Sequence, residues 1–137
     1  MVLKGVQKRP ELGVENGALK ALKGTPNGVS SQAREKKWRV EPIPVADGDA
    51  WFRLRALAKE QPRSEVVEER EDYLWLELAS RVFGFIDDLE LYWNREAKRV
   101  EVRSEARLGY SDLGVNRKRV EDLRAAWMRQ RGSDARG

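Results

Sequence analysis

The residues best suited to chemistry in this chain are two adjacent aspartates, Asp87 and Asp88, followed two positions later by Glu90. Carboxylates at this spacing can bind Mg²⁺ or Ca²⁺ through oxygen, or act as a general acid and base. On a strand, Asp88 and Glu90 would face one side, while Asp87 would share the other side with apolar residues. A buried, unpaired carboxylate is very costly. The alternative is therefore that Asp87 accepts backbone hydrogen bonds or pairs with an arginine of the neighbouring strand, Arg103 or Arg107.

A second candidate is the loop GYSDLGVN (residues 109–116), which lies between two arginine-rich elements. Free N–H groups at the start of a following helix attract negative charge, so the loop is suited to binding a small anion. The pocket would be formed by Arg107, Ser111, Asn116 and Arg117. The alternative is structural, in which Asn116 caps the helix and Asp112 holds the loop through backbone hydrogen bonds.

A third polar segment, TPNGVSSQ (residues 25–32), contains a proline and an Asn-Gly pair, which together specify a tight turn. It lacks the glycine count and the lysine of a phosphate-binding loop. Its serine pair has no neighbouring base that would activate a nucleophile. We therefore interpret this segment as the part of the N-terminal region that docks onto the domain through polar contacts.

The chain contains neither cysteine nor histidine. This excludes structural zinc sites, Cys or His nucleophiles, Ser-His-Asp triads and haem ligation by histidine. Any general acid or base is Asp, Glu, Lys or Tyr, and any metal is held by oxygen ligands. With 137 residues, 36% of them charged, the chain suits one soluble domain without a membrane span or an N-terminal secretory signal.

The net charge of +4 is unevenly distributed along the chain. Residues 1–40 carry nine Lys and Arg against three Asp and Glu, whereas residues 41–137 carry 18 against 20. A sequence pI near 9.5, taken alone, suggests a nucleic-acid partner. Because the basic excess belongs to the first 40 residues and the rest is near neutral, the distribution argues against nucleic-acid binding.

The apolar periodicities predict an α+β fold, in which an antiparallel sheet of about four to five strands packs with two helices in the order β-α-β-β-β-β-α. One helix is expected from Asp47 or Asp49 to Gln61, and another, capped by Asn116, over residues 117–131. An extended arm is expected before residue 38 (residues 1–37), and a frayed tail after residue 131 (residues 132–137). The predicted strands are residues 38–45, 64–70, 73–80, 85–93 and 99–107, with a hairpin connection at residues 94–98. The first is an edge strand or one that ends early, because its two prolines cannot donate to a ladder.

The five tryptophans are many for a chain of this length. Trp51 and Trp127 fall on the apolar stripes of the two predicted helices, so we expect them in the core. Trp75 lies on the face of its predicted strand that does not carry the leucines. It is therefore expected to line a groove or an interface.

Three motifs carry a resemblance to a known family: TPNGVSSQ, FGFIDDLE (residues 83–90) and RSEARLGYSDLGVNRKRVE (residues 103–121). In this order they resemble the domain-of-unknown-function family 1499, over about residues 13–127. The resemblance implies no established enzymatic activity and carries over no catalytic residue. It implies instead that positions within the motifs form a common structural or functional centre. Relatives often have a cysteine pair where this chain has Leu22 and Gly28, and the lack of these thiols favours a reducing, cytoplasmic compartment.

The leading functional hypothesis is a non-enzymatic binding module for a small anionic ligand or a protein partner. The rival is a metal-assisted hydrolase or related enzyme, in which Asp87, Asp88 and Asp112 bind Mg²⁺ or Ca²⁺ and Tyr110 or Ser111 lies near the substrate. No cofactor is identified, and a monomer or weak homo-oligomer is expected. The candidate binding residues are Asp87, Asp88, Arg107, Tyr110, Ser111, Asp112, Asn116 and Arg117.

Overall fold

A computed structural model of the chain describes residues 7–81, 84–109 and 111–136, with side chains up to Gly132. The elements in chain order are β1 (Val14–Glu15), β2 (Ala18–Leu19), β3 (Gly28–Ser30), β4 (Ile43–Pro44), α1 (Gly48–Lys59), β5 (Ser64–Arg70), β6 (Tyr73–Ala79), β7 (Ile86–Asn94), β8 (Arg99–Ala106) and α2 (Val115–Arg136). The main sheet has the strand order β3-β8-β7-β6-β5, and β4 pairs with β8 beside β3. All these strand pairs are antiparallel.

The predicted α+β fold is confirmed, since both helices pack on one face of this antiparallel sheet. The side chains of β6, β7 and β8 that point toward the helices are largely apolar, which is the alternation that predicted the strands. Trp51 of α1 and Trp127 of α2 are both in the core, as expected. The Trp51 ring stacks on Trp93 of β7, with 6.1 Å between the ring centroids.

Helix α1 begins where the sequence predicts, because the Asp47 side chain accepts a hydrogen bond from the Ala50 N–H at 2.9 Å. Its apolar stripe buries Trp51, Leu54 and Ala58 against the sheet. The helix ends at Lys59, before the proline at position 62.

The strand at residues 38–45, predicted to be an edge strand or to end early, is much shorter than those bounds. Trp38 ends a short 3-10 helix (Lys36–Trp38), and the only strand in the segment is the two-residue β4. The physical reason is that Pro42 and Pro44 have no N–H to donate to a ladder. Pairing with β8 is therefore limited to a short stretch around Ile43.

Helix α2 differs from the prediction at both ends. It begins at Val115, so Asn116 lies inside the first turn and is not the N-cap. The start is held instead by the Asp112 carboxylate, which accepts from the N–H groups of Gly114 and Asn116 at 2.8 Å and 3.1 Å. The helix also continues through Gly132 to Arg136, because one glycine costs a helix only about 1 kcal/mol.

The N-terminal segment crosses the sheet face opposite the helices, and we refer to residues 7–24 as the arm. Leu12, Val14 and Leu19 of the arm pack against Tyr73 and Trp75 of β6. Trp75, expected to line a groove or an interface, is therefore covered by the protein's own chain. The helices within the described residues are all too short or too polar to cross a membrane.

Candidate functional site

Asp87 and Asp88 point to opposite faces of β7, because successive side chains alternate along a strand. Asp88 lies under the arm, where its two carboxylate oxygens accept hydrogen bonds from Arg107 at 2.9 Å and 2.8 Å. The Trp75 indole N–H also donates to Asp88, at 2.8 Å. Because the Asp88 and Arg107 side chains are 2% and 5% exposed, they form a buried bidentate ion pair.

Glu77 extends this buried ion pair toward the arm. Its Oε2 accepts from Arg107 at 2.6 Å and from two nitrogens of Arg9 at 3.0 Å and 2.8 Å. Burial favours a higher pKa for Glu77, but hydrogen bonds from Arg107 and Arg9 outweigh it and hold the pKa below the usual 4.5. The arm therefore contributes a charged group directly to the network.

Arg103 forms a second buried ion pair beside the first. Its guanidinium donates to Glu105 at 2.6 Å and to the backbone carbonyl of Lys20 at 2.9 Å. The other oxygen of Glu105 accepts from the Lys23 backbone N–H at 2.9 Å. This arginine–glutamate pair therefore fixes the second half of the arm, as Glu77 and Arg107 fix the first.

Glu90 is fully buried beside the second ion pair, because it lies directly opposite Arg103 in the strand register. The Tyr73 hydroxyl donates to its Oε2 at 2.5 Å, and Arg103 lies 3.5 Å from its Oε1. Burial raises the pKa of Glu90 above 4.5, although Tyr73 and Arg103 both act to lower it. Burial and the neighbouring Glu90 charge also raise the pKa of Tyr73.

This face of the sheet carries more carboxylates than cations. Among the described residues, the nearly buried acids here outnumber the nearly buried arginines by five to two, and the arm that covers this face carries four Lys and Arg against two Glu. The net charges of the sheet face and the arm are therefore opposite and attract each other. The charged residues are Glu77, Asp88, Glu90, Glu101 and Glu105, with Arg103 and Arg107.

On the opposite face, Asp87 pairs with Arg119 of α2 at 2.7 Å. The expected partners Arg103 and Arg107 lie under the arm and contact other carboxylates instead. Burial raises the pKa of Asp87 above its usual value, and the charge and hydrogen bond of Arg119 offset only part of this. The arginine also donates to the Asn116 side chain at 2.9 Å, which links Asp87 to the start of α2.

Asn116 is fully buried and joins the three sequence motifs. Its Oδ1 accepts from the Ser104 hydroxyl at 2.5 Å, and its amide nitrogen donates to the Asp112 carboxylate at 2.8 Å and the Asn27 carbonyl at 3.2 Å. The Asn27 side chain in turn donates to the Gly109 carbonyl at 2.7 Å. Because both ends of the Asn116 side chain are bonded within the protein, this cluster fixes the loop between β8 and α2.

The remaining predicted residues lie apart from Arg107. The exposed Ser111 accepts a hydrogen bond from a backbone N–H two residues on, at 3.3 Å. Arg117 donates to the carbonyls of Lys37 and Arg39 at 2.6 Å and 3.2 Å, and so ties α2 to the segment before β4. Tyr110 lies outside the described residues. The described members of the predicted set are thus divided between the two sides of the sheet.

The same division separates the three predicted metal ligands. Asp87 and Asp88 each face an arginine on a different side of β7, and Asp112 is bonded to the start of α2. Within residues 7–81, 84–109 and 111–136, no group of three or more acidic side chains is placed to hold a metal ion.

A cleft of about 290 Å³ opens between the arm and the end of β8, and no sequence pattern indicated it. Arg103 and Arg107 line it together with the paired carboxylates of Asp88 and Glu105. The lysines of the arm are scattered without a period, so only the fold brings them to these arginines. We call this site the lysine cleft, after the three lysines that line it: Lys8, Lys20 and Lys23.

Fold and site together define an α+β domain whose sheet carries a layer of buried ion pairs beneath its own N-terminal segment. The chain belongs to the family described as protein of unknown function (DUF1499), whose model matches residues 18–127. Comparisons with curated proteins and with solved structures give no match. The matched span contains the three motifs that meet at Asn116, whereas Lys8 and Arg9 of the arm lie before it.

Proposed function

We propose that this chain is a binding module that takes a small anionic ligand in the lysine cleft. The proposal rests on the charge of the cleft lining, whose described residues have five cationic side chains against three carboxylates. Two of those carboxylates, Asp88 and Glu105, are already bonded to arginines. The positive charge that remains for a ligand belongs mainly to the lysines.

The three ammonium groups keep donors for a ligand. Lys20 uses one N–H for the Glu11 carbonyl at 3.0 Å, and Lys23 uses two for the carbonyls of Ala106 and Arg107 at 2.6 Å and 3.1 Å. An ammonium has three N–H donors, so each retains at least one. Within the described residues, Lys8 has no hydrogen bond or ion pair.

The volume of the cleft limits the size of the ligand. At about 290 Å³ it is at the lower end of small-molecule sites, which are commonly ~300–1,000 Å³. The best fit is a compact molecule with one or two carboxylate or phosphate groups. Both walls come from one chain, so the monomer suffices as the binding unit.

The lining supports binding more than catalysis. The described residues of the lining are Lys, Arg, Asp, Glu, Pro, Leu and Ala, so none of these offers a hydroxyl nucleophile. We do not extend the proposal to a metal-assisted hydrolase, because Asp87 and Asp88 lie on opposite faces of the sheet.

The test is the thermal unfolding midpoint with increasing inorganic phosphate, malonate or citrate at constant ionic strength. A ligand that binds only the folded state raises the midpoint once its concentration exceeds Kd. Constant ionic strength separates binding from general screening of charge. Isothermal titration then gives Kd for the anion with the largest effect.

Two variants locate the effect. The double variant Lys8→Ala/Lys20→Ala removes two cations from the cleft, and Lys36→Ala removes an exposed lysine that does not line it. We expect the double variant to abolish the rise in midpoint and Lys36→Ala to retain it. An anion effect that survives in the double variant, or that is absent from the wild type for all three anions, would reject the proposal.

A further inference from the structure

We propose a second, separate binding site: a groove between residues 18–24 and 30–38 that takes a small aromatic carboxylate. The groove has a volume of about 450 Å³ and a mostly apolar lining, which includes Leu22, Ala33 and the Trp38 ring. An apolar cleft of this size with a few polar groups is typical of small-molecule sites. Among the described residues it shares Lys20 and Ala21 with the lysine cleft, and its Trp38 and Arg34 do not line that cleft, so the inference does not depend on the function proposed above.

Trp38 differs from the other four tryptophans in its indole N–H. A buried indole N–H normally finds an acceptor, and each of the other four donates to one at 2.7–3.1 Å. Trp38, unlike these four buried tryptophans, is only partly buried, and its indole N–H donates to nothing in the part of the chain that the structure describes. The groove therefore offers a ligand both an apolar ring and an unused donor. The internal acceptors of the other four are Glu71, Asp88, Val45 and Pro44.

Arg34 supplies a cation to the same groove. Its guanidinium has no hydrogen bond or ion pair with any of the described residues, and only its backbone carbonyl accepts one. By contrast, the neighbouring Arg39 is engaged, since it donates to the carbonyls of Ala33 and Arg34 at 2.9 Å and 2.7 Å. A guanidinium binds a carboxylate through two parallel hydrogen bonds. Arg34 is thus the arginine here that is available to a carboxylate ligand.

The two walls of the groove are tied together before any ligand arrives. Gln32 accepts from the Leu19 N–H at 2.8 Å and donates to the Gly17 carbonyl at 3.0 Å, so one side chain joins both walls. The bonds of Arg39 hold the loop that carries Arg34 and Trp38. A groove held in this way loses little conformational freedom on binding, which favours affinity for a small ligand.

These features together select the ligand class. A flat aromatic body packs on the Trp38 ring and on the apolar wall, and one carboxylate meets the Arg34 guanidinium and the indole N–H. The Lys37 ammonium lies 5.1 Å from the centre of the Trp38 ring and is paired at 3.5 Å with Glu35, which also lines the groove, so Arg34 is the cation that remains for a carboxylate. A neutral aromatic molecule would gain the packing but not the charge-assisted hydrogen bonds.

The test follows the indole N–H signals in a ¹H–¹⁵N correlation spectrum during titration with 2-naphthoate. The Trp38 signal is assigned from Trp38→Phe, which removes it. The titration is repeated with 2-naphthamide, which keeps the ring system but is neutral. It is also repeated with Arg34→Ala and with the control Arg129→Ala, an exposed arginine of α2 outside the groove.

We expect 2-naphthoate to shift the Trp38 signal saturably while the other four indole signals stay in place. Binding of 2-naphthamide, and of 2-naphthoate to Arg34→Ala, should be weaker by about tenfold or more. Arg129→Ala should bind 2-naphthoate as the wild type does. The inference is overturned if the Trp38 signal does not move, if the amide binds as well as the acid, or if Arg34→Ala has no effect.

Discussion

Asp87 and Asp88 are consecutive in the chain but form ion pairs on opposite faces of the sheet. Asp87 accepts from Arg119 of α2 at 2.7 Å, and Asp88 accepts from Arg107 at 2.8 Å. The aspartate pair therefore fastens the helical layer to one side of β7 and the arm layer to the other. The ion pairs with Arg119 and Arg107 therefore give each aspartate of this motif a structural role.

The buried pair of Asp88 and Arg107 should be essential for stability. Asp88→Asn keeps the shape of the side chain but leaves Arg107, 5% exposed, with Glu77 as its one ion-pair partner among the described residues. We expect the free energy of unfolding to fall by about 3 kcal/mol, as when one partner of a buried ion pair is removed. Urea denaturation at pH 7 measures the loss.

A matched control for that variant is Asp122→Asn. Asp122 pairs with Lys118 on the surface of α2, where both side chains are more than half exposed. Its loss should cost less than about 1 kcal/mol. If Asp88→Asn were no more destabilising than Asp122→Asn, the arm-side network would not hold the fold together.

The contribution of Glu90 to the free energy of unfolding should become more favourable as the pH falls from neutral toward 4.5. Burial raises its pKa above 4.5 in the folded state, so the folded chain binds a proton at a higher pH than the unfolded chain does. Ionisation of Glu90 therefore costs stability above its folded pKa, and this cost disappears as the pH falls. Each unit of pKa elevation corresponds to about 1.4 kcal/mol.

The variant Glu90→Gln isolates this effect, because the amide keeps an acceptor for the Tyr73 hydroxyl but does not titrate. Urea denaturation of the variant and the wild type at pH 7, 6 and 5 gives their difference in free energy of unfolding. The free energy of unfolding of the wild type, relative to that of Glu90→Gln, should increase as the pH falls. A difference that is constant, or that moves in favour of the variant, would contradict a raised pKa.

The strands and α1 were predictable because their signals are local. Alternation gives β5 its bounds, residues 64–70, and places β6, β7 and β8 within one residue at each end. The start of α1 was likewise predicted to within two residues, and Asp47 is the cap of the two candidates, Asp47 and Asp49. At residues 38–45 the two prolines indicated an edge strand or one that ends early, but the alternation did not show that only β4 would form.

The ion-pair partners were not predictable, because they depend on strand register and on contacts between distant residues. Alternation placed Asp87 on the apolar face, but only the register pairs it with Ala106 and leaves Arg107 facing Asp88. The arm is held by contacts such as that between Gln7 and Gly84, 77 residues apart. A local periodicity in the sequence does not indicate a hydrogen bond between residues so far apart in the chain.

Asn116 should be intolerant of truncation. Asn116→Ala removes the bonds that its fully buried side chain makes to Ser104, Asn27, Asp112 and Arg119. Each buried partner left without a bond costs about 1–3 kcal/mol, so we expect a total loss near 3 kcal/mol after relaxation. Chemical denaturation measures it, with the exposed Ser111→Ala as the control.

The control Ser111→Ala should stay within about 0.5 kcal/mol of the wild type, since surface substitutions away from special features usually do. Ser111 belongs to the same loop but contributes only a long hydrogen bond from a backbone N–H. A loss in Asn116→Ala no larger than that in Ser111→Ala would show that the three motifs do not depend on this side chain.

Gly28 should not accept a side chain, because β3 lies against β8 at that point. Gly28 pairs directly with Glu105, and a Cβ at position 28 would lie 2.7 Å from Glu105 Cγ and 2.8 Å from its Cβ. Glu105 cannot move aside freely, since Arg103 and the Lys23 N–H hold its carboxylate. Gly28→Ala should therefore destabilise by about 1–3 kcal/mol in urea denaturation. Gly48→Ala, with open space at the first residue of α1, should be neutral or slightly stabilising, and equal effects of the two variants would contradict the close approach of β3 to β8.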